Sequence, residues 1–355
     1  MPSFDELFAK VNKEIAKAKD PACSIKRSGD ITLSSRIPYG IPSGLPQLEL
    51  AIGRPGIPAG RVTEFYGFER SGKTTAAYHV LASAQKAGGG GMFIDAESSW
   101  DEERAAACGV DPDKNFRIGE VENIEAIFRL LLRTLEAMEG SPLDKPFVFV
   151  VDSVTGVESE INEDANTFGK EARIGQDARL IRRGIRLANK KIANTKAAVI
   201  FINHAIATAN SYGPKSMAAG GHGLKLFSSL RVSFASAGEI QDDKKGTDVR
   251  YRHGQKSKLK VEKLKGSKLL FQEFEIDLLD DGGFDTVGSL LEAAELTGWV
   301  ERVNQKTYKM NDQEFPPADW KHVVQTLGGR EMAYRTWIDW CLKNGKLDLW
   351  NNWNG

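Results

Sequence analysis

Residues 67–75 read GFERSGKTT, which sets Gly67, Gly72, Lys73 and Thr74 at the spacing G-x-x-x-x-G-K-[ST]. Glycines at those places let backbone N–H groups turn inward around a phosphate chain. A lysine then neutralises the outer phosphates, and a hydroxyl serves as a ligand to Mg²⁺. Two acids could complete a hydrolytic site. The run FVFVVD, residues 147–152, ends in Asp152, placed to hold the water shell of Mg²⁺ beside Thr74, although ending a turn is the ordinary role of such an aspartate. GMFIDAES carries Asp95 and Glu97 at the end of another apolar run. Glu97 is the candidate for activating water, and capping the following segment DEERAAACGV is its alternative role.

These side chains need a scaffold that brings strand ends together. VTEFY (62–66) supplies a strand before the glycine loop, and TTAAYHVLASAQKA a helix after it, with its N-terminal dipole toward the phosphates. Further strands are expected at GMFID (91–95), FVFVVD (147–152), AAVIFIN (197–203) and LRVSFAS (230–236). Several are apolar throughout, as strands covered on both faces must be. The alternation of strands with helical periods predicts an α/β fold, a mainly parallel twisted sheet flanked by helices, over residues 40–283. Phe4, Leu7, Phe8, Val11 and Ile15 predict a short amphipathic helix that must dock on the core or a neighbouring subunit, followed by a polar linker to residue 39. Residues 284–355 are expected to form a small C-terminal α+β domain, whose end from Trp320 onward holds five of the seven tryptophans, with Trp337, Ile338 and Cys341 at helical spacing.

Bulk properties narrow the classes of function. The 355 residues allow one full α/β core with attachments. No apolar run reaches the roughly 18 residues of a membrane span, and MPSFDELFAK lacks a secretory h-region, so a cytoplasmic protein without membrane contact is expected. Three scattered cysteines exclude a zinc ribbon and predict reduced thiols. With 48 basic and 48 acidic side chains there is no global pull toward a polyanion. Two local runs are basic. Residues 178–196 hold Arg179, Arg182, Arg183, Arg186, Lys190, Lys191 and Lys196 without an acid, and residues 244–268 hold ten cations against Asp248 and Glu262. On a helix from about 176, Arg179, Arg182, Arg183, Arg186 and Lys190 share one face, and Ile181, Ile185, Ala188 and Ile192 the opposite one.

In this order the segments resemble the RecA recombinases of bacteria and their UvsX relatives in phage, over roughly residues 40–300. IPSGLPQLELAIGRPGIPAGRVTEFYGFERSGKTT is similar to the family's entry strand and P-loop, including Glu69. FIDAES is similar to the catalytic-glutamate segment, VFVVDSV to the Mg²⁺ strand, and AAVIFINHAIATANSYGPKSMAAGGHGLKLFSSLRV to the sensor strand, DNA loop and helix. The resemblance implies a RecA-type core and a DNA-dependent ATPase that uses ATP and Mg²⁺. It implies helical filaments on single-stranded DNA, pairing with double-stranded DNA, homologous strand exchange in recombination and repair, and mediator or single-strand-binding partners. Gly67, Glu69, Arg70, Ser71, Gly72, Lys73, Thr74 and Thr75 would hold the phosphates, Thr74 and Asp152 the metal, and Glu97 the water.

His204 stands where bacterial members carry a γ-phosphate-sensing glutamine; an imidazole donates the same hydrogen bond but titrates near neutrality. Asp101 matches an adenine-pocket position, and Arg104 takes the place of a stacking tyrosine. Arg70, where a small residue is common, faces either the phosphates or the next subunit. Residues 161–175 and 205–219 match the two DNA loops. The DNA-contacting residues implied are Arg173, Arg179, Arg186, Lys215, Ser216, Gly220, Gly221 and His222. Lys263 and Lys265, in KVEKLK, match lysines that reach the ATP of an adjacent subunit; a basic exposed strand edge is their alternative reading. Rival activities on the same core are a ring helicase, a RadA-like branch-migration ATPase and a non-hydrolysing regulator. A ring helicase is expected to need a substantial collar before its core, and about 40 residues precede this one.

Overall fold

Alternating side chains of the central strands divide between two apolar layers, and that division sets the architecture. The computed structural model describes residues 37–140, 144–160, 175–207, 216–221, 223–243, 250–265 and 273–348, preceded by residues 9, 10, 13 and 17. The chain divides into two units after Arg36. In the first unit the four described residues are helical and exposed, and the apolar stripe expected there lies outside the described residues.

The second unit opens with a two-stranded ladder, β1 (Gly40–Ile41) with β2 (Ile57–Pro58), around α1 (Pro46–Ile52). The main sheet is built from β3 (Val62–Gly67), β4 (Gly90–Asp95), β5 (Phe116–Glu120), β6 (Phe147–Asp152), β7 (Ala198–Ala207), β8 (Ser216–Ala218), β9 (Leu230–Asp243), β10 (Arg250–Leu264) and β11 (Glu273–Leu279). Its order is β11-β10-β9-β3-β7-β6-β4-β5, with β8 paired to the end of β7. From β9 to β5 every pairing is parallel, whereas β10 and β11 add an antiparallel flank.

Helices cover both faces. Val148, Val150, Ile200 and Ile202 pack in one layer with α2 (Lys73–Lys86), and α3 (Glu102–Cys108) adds Ala105 and Cys108. Phe149, Val151, Val199 and Phe201 pack in the other with α4 (Ile124–Gly140) and α5 (Gln176–Thr195). This odd–even division is the period of two expected of strands buried on both sides. α5 presents Ile181, Ile185, Ala188 and Ile192 inward and leaves Arg179, Arg182, Arg183, Arg186 and Lys190 exposed, as its periodicity predicts.

Beyond the short α6 (Gly223–Phe227) and the β9–β11 flank, a third apolar cluster holds α7 (Thr286–Thr297), the three-stranded sheet β12 (Glu301–Asn304), β13 (Thr307–Met310) and β14 (Gln313–Phe315), α8 (Trp320–Thr326) and α9 (Arg330–Lys343). Trp320 and Trp337 are buried, their indole N–H groups donating to Val287 O and Thr297 Oγ1. Cys108 and Cys341 are buried free thiols. A buried carboxylate ties this cluster to the core: Glu49 of α1 accepts from Ser43, Gly56 and Tyr334 of α9, and burial raises its pKa.

Three expectations need correction. The sensor strand does not end at Asn203, because β7 runs on to Ala207 and β8 pairs back onto it; residues 205–207 and 216–218 are therefore the arms of a hairpin, not loop. KVEKLK is a sheet edge only in part: Lys260 pairs with both β9 and β11, whereas Val261, Lys263 and Leu264 pair with β9 alone among the described residues. β5, β10 and β11 are strands in addition to those expected.

Candidate nucleotide site

The parallel registers bring the chemistry to one edge. Gly67 lies opposite His204 on one side and Phe234 on the other, and Asp95 lies opposite Asp152. The carboxyl ends of β3, β4, β6 and β7 thus meet, the place where open α/β sheets bind ligands.

The loop after β3 wraps the N-terminus of α2. Gly72 has φ 98°, and a Cβ there would stand 2.7 Å from the Phe284 ring, so only glycine fits. Ser71 Oγ and Lys73 Nζ both donate to Phe68 O, at 2.7 and 2.8 Å. Arg70 takes a left-handed φ of 57° with its side chain exposed, and its carbonyl accepts from Gln255 Nε2. Ser257 Oγ donates to Ser71 O at 2.6 Å. β10 therefore grips the loop backbone from below. Above it lies a cleft of about 370 Å³, lined by Arg70–Thr75, Arg104, Arg252, Gln255, Leu278, Leu279 and Asp280. Glu69 is exposed beside it.

Thr74 Oγ1 donates to Asp152 Oδ2 at 2.7 Å. Burial pushes the Asp152 carboxyl up to about 6 and holds the Lys73 ammonium below the usual lysine range. A hydroxyl and a buried carboxylate side by side are hard oxygen donors that suit Mg²⁺, and a bound cation would restore the charge on Asp152. Glu97 Oε1 meets His204 Nε2 at 2.8 Å and accepts from Ser153 Oγ. The hydrogen bond to His204 holds the Glu97 carboxyl low, and the same bond raises the His204 imidazole. Glu97 does not cap the next helix; Asp101 does, accepting from Arg104 N at 2.9 Å. Asp95 instead shapes the turn, accepting from the backbone N–H groups of Glu97, Ser99 and Trp100.

The Arg104 guanidinium is anchored by Leu279 O, Gly282 O and Asp280 O at 2.8–3.4 Å, with Asp101 3.8 Å from Nε. Its Nη1 and Nη2 groups bond along the cleft wall, and its planar face is a surface it can offer to a ring. Lys263 and Lys265 do not line this cleft. Lys263 lines a second one, of about 490 Å³, with Lys225, Arg231, Lys260 and Glu262, and its Nζ donates to the carbonyls of Lys225 and Leu226 at the end of α6. Burial, then Lys265 and Arg231, push the Lys263 ammonium down to about 8. Lys265 is exposed.

Of the DNA-contacting candidates, Arg179 and Arg186 are exposed on α5, and Gly220 and Gly221 follow β8 with positive φ. Ser216 begins β8, whose pairing with β7 sets the base of the second loop. Arg173, Lys215 and His222, with most of residues 161–175 and 208–215, lie outside the described residues.

Sequence reasoning missed Gln255, Ser257, Arg252 and Asp280, which reach the site from the antiparallel flank. It also missed Gly156, where a Cβ would collide with the Glu97 side chain, and the buried Glu64–Arg231 pair beneath the site. A charged residue inside a strand otherwise buried throughout was the available signal for Glu64.

Comparison with known proteins places the same segments in one family. A family model described as the RecA N-terminal domain matches residues 8–285. The chain is 36% identical over 282 residues to Protein RecA of Nostoc punctiforme, covering 79% of this chain and 73% of that protein. It is 33% identical over 293 residues to Protein RecA of Symbiobacterium thermophilum, covering 82% and 77%. The mitochondrial DNA repair protein recA homolog of Dictyostelium discoideum is 33% identical over 273 residues, 77% of this chain and 57% of that protein. Among the described residues no helix is long and apolar enough to cross a membrane.

Proposed function

The chain belongs to the RecA family, and from that premise we propose that it is a DNA-dependent ATP hydrolase that assembles as a helical filament on single-stranded DNA and promotes pairing and strand exchange with double-stranded DNA. The observation that carries this reading is the placement of His204. Its ring touches Glu97 at 2.8 Å, and its carbonyl accepts from Ala219 N at 2.8 Å, at the foot of the β7–β8 hairpin. One residue thereby bridges the candidate base and the candidate DNA element.

In this reading, backbone N–H groups of residues 70–73 and the Lys73 ammonium bind the β- and γ-phosphates. Thr74 and Asp152 would hold Mg²⁺, which when bound neutralises charge developing on the phosphate oxygens. Glu97 orients the attacking water and takes its proton; Ser153 holds that carboxylate in place, and a charged His204 draws it away from the water. Arg104 offers its face to the adenine. Lys263, with Lys265 beside it, completes the site of an adjacent copy, so turnover depends on assembly. Phosphate contacts from α5 position single-stranded DNA without reading its sequence.

Two measurements test the reading. Glu97→Gln should lower ATP turnover about a hundredfold or more while nucleotide and DNA binding persist; unchanged turnover would remove Glu97 from the role of base. Electron microscopy of the protein with single-stranded DNA and a non-hydrolysable ATP analogue should show helical filaments. Closed rings would instead favour a helicase.

A further inference from the structure

Beneath the site lies a group of buried polar side chains that the hydrolytic steps do not use. Asn203, Glu64 and Arg231 are 0%, 0% and 6% exposed in the middle of the sheet. Buried polar groups are retained when each finds a partner, and here the partners lead in three directions. Asn203 Nδ2 donates to Glu64 Oε1 and to Ala219 O, both at 3.0 Å. Its Oδ1 accepts from Thr155 Oγ1 at 3.3 Å, and Thr155 Oγ1 lies 3.5 Å from Ser153 Oγ, the hydroxyl that donates to Glu97. Glu64 in turn binds Arg231, which reaches Glu262 at 3.0 Å in the Lys263-lined cleft. One amide is therefore shared by the path to Glu97, the foot of the β7–β8 hairpin and the buried ion pair behind the basic cleft.

We propose that Asn203 is a positioning residue that couples occupancy of the β7–β8 hairpin to the placement of Glu97. The inference rests on the proposed reading of that hairpin as a DNA element and of Glu97 as base. Two neighbouring contacts hold the hairpin foot: Ala219 N to His204 O, and Ala219 O to Asn203 Nδ2. A ligand that shifts Ala219 must lengthen or reorient the second. Asn203 cannot then keep its place between Glu64 and Thr155, and the change passes through Thr155 and Ser153 to the Glu97 carboxylate. The anchor of the lever is Glu64, which Arg231 fixes from the other side. Because Asn203, Glu64 and Ser153 are buried and Thr155 is packed half-buried between Asn203 and Ser153, such a network has few alternative arrangements and switches between them discretely.

The test compares ATP turnover with and without single-stranded DNA in wild type, Asn203→Ala and Thr155→Val, with thermal melting as a control on folding. Thr155→Val keeps the side-chain shape and removes only the hydroxyl between Ser153 and Asn203, so it serves if Asn203→Ala fails to fold. For each variant that folds, we expect stimulation by DNA to fall about tenfold, while the KM for ATP and the DNA-independent rate change by less than about threefold. Unchanged stimulation in folded variants overturns the coupling. So does an equal loss of DNA-independent and DNA-stimulated rates, which would make the network a support of the nucleotide site alone. A wild-type protein without DNA stimulation overturns the functional reading itself, and the coupling with it, whatever the variants do.

Discussion

The two basic runs of this chain look alike as strings of letters and differ as surfaces. On α5, Arg179, Arg182, Arg183, Arg186 and Lys190 are exposed, and none forms an ion pair with another described residue; only Lys191, on the flank of the helix, reaches acids, Glu136 and Glu139 at 3.3 Å. On β10, the register places Lys256 opposite Asp277, Lys258 opposite Glu275 and Lys260 opposite Glu273. Lys258 and Lys260 lie 2.5 and 2.6 Å from Glu273, Lys256 lies 3.6 Å from Asp277, and Arg252 pairs with Glu239 and Asp280. The sheet supplies counter-charges from a strand more than a dozen residues away, whereas the helix leaves its charges unanswered. Linear charge density thus misjudges β10 at Lys256, Lys258 and Lys260 and serves for α5, whose described cations Arg179, Arg182, Arg183, Arg186 and Lys190 stay available to a polyanion.

The largest effect should come from the unanswered face. If each exposed phosphate contact contributes about 0.7 kcal/mol, within the range of exposed charge pairs, Arg182→Ala with Arg186→Ala weakens single-stranded DNA binding about tenfold. The slope of log affinity against log salt should fall by about 1.4, the release expected for two phosphates on a single strand. Fluorescence anisotropy over a salt series measures both, and an unchanged slope would mean that this face does not carry the DNA.

Between the two extremes stands a half-buried pair, His204 with Glu97. The imidazolium–carboxylate form is complete from above the lowered Glu97 pKa, itself below 4.5, up to the raised His204 pKa, above 6.5, and its attraction is lost as pH rises through the latter. Lys73 and Asp152 also face the imidazole, the first opposing its charge and the second favouring it. DNA-independent ATP turnover should therefore rise as pH climbs through the His204 transition and Glu97 is released, and His204→Gln should remove that rise. A pH–rate profile of the variant that keeps the same inflection would assign it to another group.

The answered face should respond least to loss of cations. Lys256→Gln with Lys258→Gln removes charges already matched by Asp277 and Glu273, so DNA affinity in the same anisotropy series should change by less than about twofold. A loss equal to that of the α5 variant would erase the distinction between the runs.

How far the sequence alone reaches can be judged from these residues. The P-loop and β6 were legible because their signals are local: a spacing of glycines, and an apolar run ending in Asp152. α5 was legible because its two faces separate at helical period, and the helix core bears that out. The pairing of β10 with β11 also left a local trace, lysines at 256, 258 and 260 and acids at 273, 275 and 277, each at period two. The count of net charge hid that alternation. Glu64 with Arg231 left little trace, since the partners are 167 residues apart in the chain and only the parallel register of β3 with β9 makes them neighbours. The grip of Gln255 and Ser257 on the P-loop was invisible for the same reason: both come from an antiparallel flank, and polar side chains on a strand read as solvent-facing until the sheet is assembled.

The smallest effect tests the answered face from its acidic side. The hydrogen bonds from Lys258 and Lys260 hold the exposed Glu273 carboxyl down to about 2. A depressed pKa contributes stability that is present above the ordinary value of 4.5 and disappears as pH falls through about 2. Glu273→Gln should therefore lower the melting temperature slightly near neutral pH, and the gap to wild type should narrow as pH falls from 4.5 toward 2. Because both lysines and Glu273 are solvent-exposed, added salt should shrink the same gap. A gap that widened in acid would mean that Glu273 acts through packing rather than through its charge, and β10 would then owe its neutrality to other acids of β11.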